Sequence, residues 1–172
     1  VSPAAPATAR TLFDFSQPEA VQAWYPIDDR VMGGASQSRL RHDAAGHAVF
    51  EGEVSLAGGG GFASVRSRPG PQGQAGAQAL LLEVAGDGGA YKLQCLLDDG
   101  FDRPSYQAVF TATGPAWQTL RLPLAQFRAS YRGREVHGAP PLDPAHIRQL
   151  GLLSVRRQPG PFALRLRRIG LG

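Results

Sequence analysis

The chain has 172 residues, a net charge of +4 and a single cysteine, Cys95. That length suits one domain with a full two-layer core, and the ordinary apolar content excludes a wholly disordered chain. A lone cysteine excludes an internal disulfide, and no apolar run approaches the ~20 residues that span a bilayer.

Lys92 is the only lysine, so the basic excess is arginine. It reads as GC-rich codon usage and a solvated surface rather than a nucleic-acid footprint. Residues 1–10 are predicted to be a flexible tail, and residues 11–172 a single domain. The Pro-rich, small-residue start resembles a mature exported chain, so a periplasmic or exported location is expected over a cytoplasmic one. A strand is predicted at 11–15, then one or two helical turns at 18–24 with Ser16 as N-cap. Next comes Asp28-Asp29-Arg30-Val31-Met32-Gly33-Gly34-Ala35-Ser36. Its paired glycines predict a tight, packed turn, and hydrogen bonds of Asp29 and Arg30 would pin it.

A weak strand is predicted at 36–40 and a turn at 43–46. Residues 48–56 alternate, placing Ala48, Phe50, Gly52, Val54 and Leu56 on one face, with Glu51, Glu53 and Ser55 opposite. The glycines at 58–61 predict a turn into a strand at 62–66, where Phe62, Ser64 and Arg66 share a face opposite Ala63 and Val65. Residues 80–84 and 91–97 are the clearest core strands, with an Asp87-Gly88 hairpin turn between them. Cys95 reads as a buried, inert thiol. Strands are predicted at 106–110 and 117–122, and one helical turn at 124–127. Residues 128–141 read as a long irregular loop. Asp143 and Pro144 predict a short capped helix, and strands at 150–155 and 162–169 close the chain. The many short strands between turns predict an all-β sandwich with one to three short helices.

Motifs for the commonest chemistries are missing. The glycines at 58–61 fit no dinucleotide or phosphate loop, and no zinc spacing joins the four scattered histidines. Asp98, Asp99 and Asp102 around Gly100 leave calcium open, although a solvated acidic turn is the better reading. Asp28 or Asp29 with Glu51 or Glu53 is a conceivable acid/base pair, but structural pinning is preferred. No catalytic residue, cofactor or metal is therefore expected.

A binding face is expected instead. Alternation turns Lys92 and Gln94 outward in one strand, and Gln107 with Ser105 and Val109 in another. With Ser64 and Arg66 they would offer donors to a hydroxyl-rich or carboxylate ligand. Arg132 and Arg134, beside Tyr131, suit a protein contact. A sugar-binding alternative needs exposed aromatics, and Trp24, Tyr25, Trp117 and Tyr131 are its candidates.

The series D-D-R-V-M-G-G-x-S, then F-x-G-x-V-S-L, then Gly60-Gly61-Phe62-Ala63-Ser64-Val65-Arg66 resembles the complex I intermediate-associated protein family. The resemblance runs on through Gly86-Asp87-Gly88, Tyr106-Gln107-Ala108, Trp117-Gln118 and Pro140-Pro141-Leu142-Asp143 to Gly160-Pro161-Phe162, over roughly residues 11–171. It implies a galactose-binding-like jelly roll. It also implies a non-enzymatic assembly factor that engages a partner protein, such as a subunit of NADH:ubiquinone oxidoreductase. A carbohydrate-binding module with a glycan on the concave sheet face is the alternative, by analogy of fold. Gly59 stands where the family usually has Asn, and Arg156-Arg157 where an acidic residue is common.

Overall fold

The computed structural model describes residues 10–27, 37–54, 63–99, 104–131, 134–154 and 160–172. Its strands are β1 (Arg10–Asp14), β2 (Trp24–Pro26), β3 (Gln37–Asp43), β4 (His47–Val54), β5 (Ala63–Ser67), β6 (Ala79–Gly86) and β7 (Ala90–Leu96). They continue as β8 (Ser105–Thr111), β9 (Gln118–Pro123), β10 (Arg128–Tyr131), β11 (Arg134–Glu135), β12 (Gln149–Ser154) and β13 (Gly160–Leu171).

These strands form two antiparallel sheets. One is six-stranded, in the order β3-β4-β13-β6-β9 with β1 also on β13. The other is seven-stranded, in the order β11-β10-β8-β7-β12-β5-β2. Strand β13 is 12 residues long, which lets it pair on one side with β4 through Gly160–Leu166 and then with β1 through Arg168–Leu171. The two sheets face each other in the jelly-roll β-sandwich that the sequence predicts.

Alternation fills the interior as expected. Phe50, Leu80, Leu82, Val84, Leu164 and Leu166 of the six-stranded sheet meet Tyr91, Leu93, Cys95, Leu150 and Leu152 of the other, all buried in one cluster. Burying a side chain of this size contributes about 1.5–3 kcal/mol. Tyr91 bridges the sheets, with ring centroids 6.1 Å from Phe50 and 6.0 Å from Phe110. At another place in the core Trp24 packs edge-on against Phe13 at 5.0 Å. Cys95 is fully buried, and that burial pushes its thiol pKa up, so it is inert as predicted.

The short helices are 3-10 turns at Pro18–Ala23, Leu124–Gln126 and Pro144–His146. Asp143 caps the last one, accepting from the Ala145 N–H at 3.0 Å. The first turn corrects the sequence reading. Its N-cap is Gln17, without a side-chain cap bond. Ser16 instead donates its hydroxyl to Asp14 at 2.7 Å.

A second correction concerns residues 128–141. The stretch is not wholly irregular, because β10 and β11 extend the seven-stranded sheet at its edge. Strand β2 was likewise absent from the sequence reading. Strands of two to four residues carry too few alternations for a period to show.

Candidate functional site

The outward face of the seven-stranded sheet carries five of the residues expected to bind, Ser64, Arg66, Lys92, Gln94 and Gln107. Register aligns Tyr25, Arg66, Gly151, Gln94, Gln107 and Arg128 into one row across β2, β5, β12, β7, β8 and β10. Their chain neighbours Val65, Leu152, Leu93 and Ala108 are buried in the core, so the row faces away from it. Ser64, Leu153, Lys92 and Val109 form the adjoining row. Val109 is the most exposed point there, at 59%.

The centre of this face is not the solvated surface that alternation suggests. Arg66 is only 9% exposed, and Gln94 and Ser64 are 3% exposed. Gly151 explains part of this. With no side chain on β12, the Gln94 amide lies across the strand, its Cγ 2.6 Å from where a Cβ on Gly151 would stand. Gln94 Oε1 accepts long hydrogen bonds from Ser105 Oγ at 3.4 Å and Gln107 Nε2 at 3.5 Å. Gln107 Nε2 also donates to Ser105 Oγ at 3.1 Å. The Gln94 amide nitrogen, over Gly151, donates to none of the described residues.

Arg66 pairs across the strands with Tyr25 on one side. Burial holds its guanidinium below the ordinary arginine value, while the charges of Tyr25 and Asp98 push it back up. Ser64 has a different task from the one expected. Its hydroxyl donates to the Ile27 carbonyl, and its own carbonyl accepts from Ser38 Oγ at 3.0 Å, tying β5 to β3 and the end of β2. Lys92 is half-buried and Arg128 exposed, and neither makes an ion pair among the described residues. Guanidinium forks suit carboxylates, and the amides add both donors and acceptors.

Other candidates lie elsewhere. Arg134 is exposed on β11 opposite Tyr131, and alternation puts both on the side away from the Arg66 row. Asp28, Asp29, Arg30, Met32, Gly33, Gly34, Ser36, Gly60, Gly61, Phe62 and Arg132 lie outside the described residues. So does Asp102, while Asp99 is forked by Arg148 at 2.8 and 3.2 Å. Glu51, a conceivable acid, is held by Arg39 Nη2 at 2.6 Å and Arg41 Nε at 2.7 Å. Burial raises its pKa, but those hydrogen bonds outweigh it and keep Glu51 below the ordinary value. That is the reverse of what a general acid near neutral pH requires.

The aromatics do not build a sugar platform. Trp24 is in the core. Trp117 stands just before β9 and packs on the other sheet, where Arg167 stacks 4.0 Å from its ring centroid, Arg165 stands at 5.4 Å and His47 packs edge-on. Of the four candidates only Tyr25 lies on the row. A separate depression of about 420 Å³ beside β1 and β13 is lined by Asp14 and Glu83 together with Arg167 and Arg168, so its charges largely offset one another.

Of the row's other members, Gly151 and Arg128 are not among the binding residues the sequence suggests, and Tyr25 is there only as a candidate for sugar stacking. Gly151 carries no chemical signal, and Arg128 joins the sheet only through β10. Tyr25 was noted as an aromatic, but its place beside Arg66 follows from β2 pairing.

Comparison with known proteins agrees with this architecture. The chain resembles a family 11 carbohydrate-binding module from Clostridium thermocellum, solved with a β-1,3-1,4-mixed-linked tetrasaccharide, at TM-score 0.65 and 17% identity over 95% of this chain and 94% of that one. A family 30 module of a cellulosomal cellulase from the same organism matches at TM-score 0.60 and 12% identity, over 95% and 96%. At such identities these likenesses establish a shared fold, the galactose-binding-like sandwich, and no shared ligand.

Sequence relatives go further. The mitochondrial complex I intermediate-associated protein 30 of Drosophila melanogaster is 26% identical over 96% of this chain and 64% of its own length. The mouse protein of that name is 27% identical over 95% and 56%. An uncharacterized Schizosaccharomyces pombe protein is 30% identical over 81% and 72%. The chain therefore spans less than two thirds of the fly and mouse relatives. Both of those are mitochondrial, which overturns the expectation of a periplasmic or exported location. The sequence profile of complex I intermediate-associated protein 30 matches residues 13–166, and the chain belongs to that family.

Proposed function

We propose that this chain is a non-enzymatic assembly domain that engages a protein partner, a subunit or sub-assembly of NADH:ubiquinone oxidoreductase. The family match across residues 13–166 carries this reading. The outer sheet face supports it with the amide groups of Gln94 and Gln107 and with Lys92 and Arg128, which make no ion pair among the described residues. Protein interfaces favour arginine and tyrosine, both of which stand on this row. The same face speaks against a glycan, since Trp24, Trp117 and Tyr131 are all turned elsewhere.

The test is native gel electrophoresis of respiratory membranes from cells that make the tagged chain, with and without deletion of the endogenous copy. Co-migration of the chain with a sub-complex, and a fall in assembled oxidoreductase on deletion, are expected. A chain that migrates alone, with oxidoreductase unchanged on deletion, would remove the reading. Saturable binding of a mixed-linkage tetrasaccharide in that case would favour the carbohydrate-binding alternative.

A further inference from the structure

The outer face of the six-stranded sheet gathers two arginines around one indole. Arg165 and Arg167 alternate with the buried Leu164 and Leu166 on β13, so both leave the core side, about 7 Å apart along the strand. Val49 of β4 and Ala85 of β6 flank Arg165. Trp117 comes one residue before the Gln118 that pairs with Val84, which puts it beside Ala85. Val49 is 4% exposed and Ala85 0%, yet neither belongs to the core cluster, so side chains on this outer face cover them. Arg167 stacks 4.0 Å from the Trp117 ring centroid, and Arg165 stands 5.4 Å from the same ring.

Stacking orients a guanidinium and leaves its edge of N–H donors available. Arg167 is exposed, and its side chain makes no hydrogen bond or ion pair among the described residues. It stands where β13 shifts register against β6, an irregularity that re-aims a side chain. Arg165 donates from Nη2 to the Pro115 carbonyl at 2.7 Å and has no carboxylate partner among the described residues. Arg39 and Arg41 on the same face differ, since both are ion-paired to Glu51. Two cations on one ring without a counter-charge favour an anion between them. We propose that Arg167 and Arg165 bind the phosphate group of a small ligand beside Trp117. One tetrahedral oxyanion, accepting from either side at about 2.9 Å, fits a gap of this size. The depression of about 420 Å³ that Arg167 also lines, with Thr11, Ser16 and Gly46, leaves room for the rest of the ligand. Glu83, on the wall of that depression, opposes the phosphate charge.

The experiment is calorimetric titration of the 172-residue chain with inorganic phosphate, glycerol 3-phosphate and acetate, with tryptophan fluorescence followed in parallel. Both phosphates are expected to bind saturably and to change the Trp117 emission, and acetate to bind more weakly. Arg167→Gln is expected to weaken phosphate about tenfold, the scale of one charged hydrogen bond. Glu83→Gln should strengthen it, a gain that a damaged fold does not produce. Arg39→Gln, on the same face but tied to Glu51, should leave it unchanged. Acetate binding as tightly as phosphate, or equal losses in Arg39→Gln and Arg167→Gln, would reduce the effect to general charge attraction and overturn the proposal. No saturation up to roughly 10 mM phosphate would overturn it equally. Vesicles of phosphatidylcholine with and without phosphatidic acid present the same group on a surface, and binding confined to the phosphatidic acid vesicles would overturn a small ligand in favour of a lipid headgroup. The site stands apart from the assembly reading, which the native gels test separately.

Discussion

Gly151 carries more of the site than its size suggests. The Gln94 side chain occupies the space a Cβ would need, with Cγ at 2.6 Å and Cδ at 2.8 Å from that position. A methyl there must push the amide off β12. The displaced group is flexible, so the backbone need not move, and overpacking costs of about 1–3 kcal/mol apply. Gly151→Ala is therefore expected to lower stability by about 1 kcal/mol in a urea titration while leaving the fold intact. The same substitution displaces the Gln94 amide from its place over β12. At this scale, the outward direction of Gln94 and Arg66 was legible from alternation, but their burial was not. Burial depends on what crosses over them from other strands, and Gly151 is 57 residues from Gln94 in sequence.

Among the elements, the 3-10 turn at Pro144–His146 shows what local chemistry alone can specify. Asp143 accepts from the Ala145 N–H and contacts His146 Nδ1 at 2.6 Å, and Pro144 occupies the first turn. The Asp-Pro pair encodes this without any distant contact. Asp143→Ala is expected to destabilise the chain by about 1 kcal/mol in chemical denaturation, the usual cost of an N-cap. Ser16 shows the limit of such reasoning. It has the right residue type and position for a cap, yet Asp14 accepts from both its hydroxyl at 2.7 Å and its backbone N–H at 3.0 Å. The cap position falls to Gln17 instead. Strands β10 and β11 show the other limit, since only pairing with β8 makes an ordered edge of that stretch.

For the whole molecule, pH dependence summarises the electrostatics. His47 lies beneath Trp117 and near Arg165, Arg167 and Arg41, with Asp43 opposing them. Burial foremost, and then those arginines, hold its pKa below the ordinary 6.5. The folded state thus binds fewer protons than the unfolded one, and stability is present above 6.5 and lost as pH falls from there toward the folded value. Asp14, Asp43, Asp99 and Asp143 are held below the ordinary 3.8, chiefly by hydrogen bonds from Ser16, Ala45, Arg148 and Ala145. Their contribution is present above 3.8 and lost below it. Thermal melts from pH 8 to pH 3 should show a plateau followed by two declines. His47→Gln should flatten the upper decline and leave the lower one, and an unchanged upper decline would contradict the assignment to His47.

The sequence by itself determined the sandwich, most of its strands, the capped turn and the family, because alternation, Asp-Pro and Asp-Gly are local signals repeated along the chain. It also identified Arg66, Lys92, Gln94 and Gln107 as outward-facing. Only the tertiary structure decided that Tyr25, Arg66, Gly151, Gln94, Gln107 and Arg128 form one row, that Arg66 and Gln94 at its centre are buried, and that Trp117 and Arg134 stand apart from it. Strand order and register are set by which apolar faces bury one another across distant segments, and no local pattern carries that information.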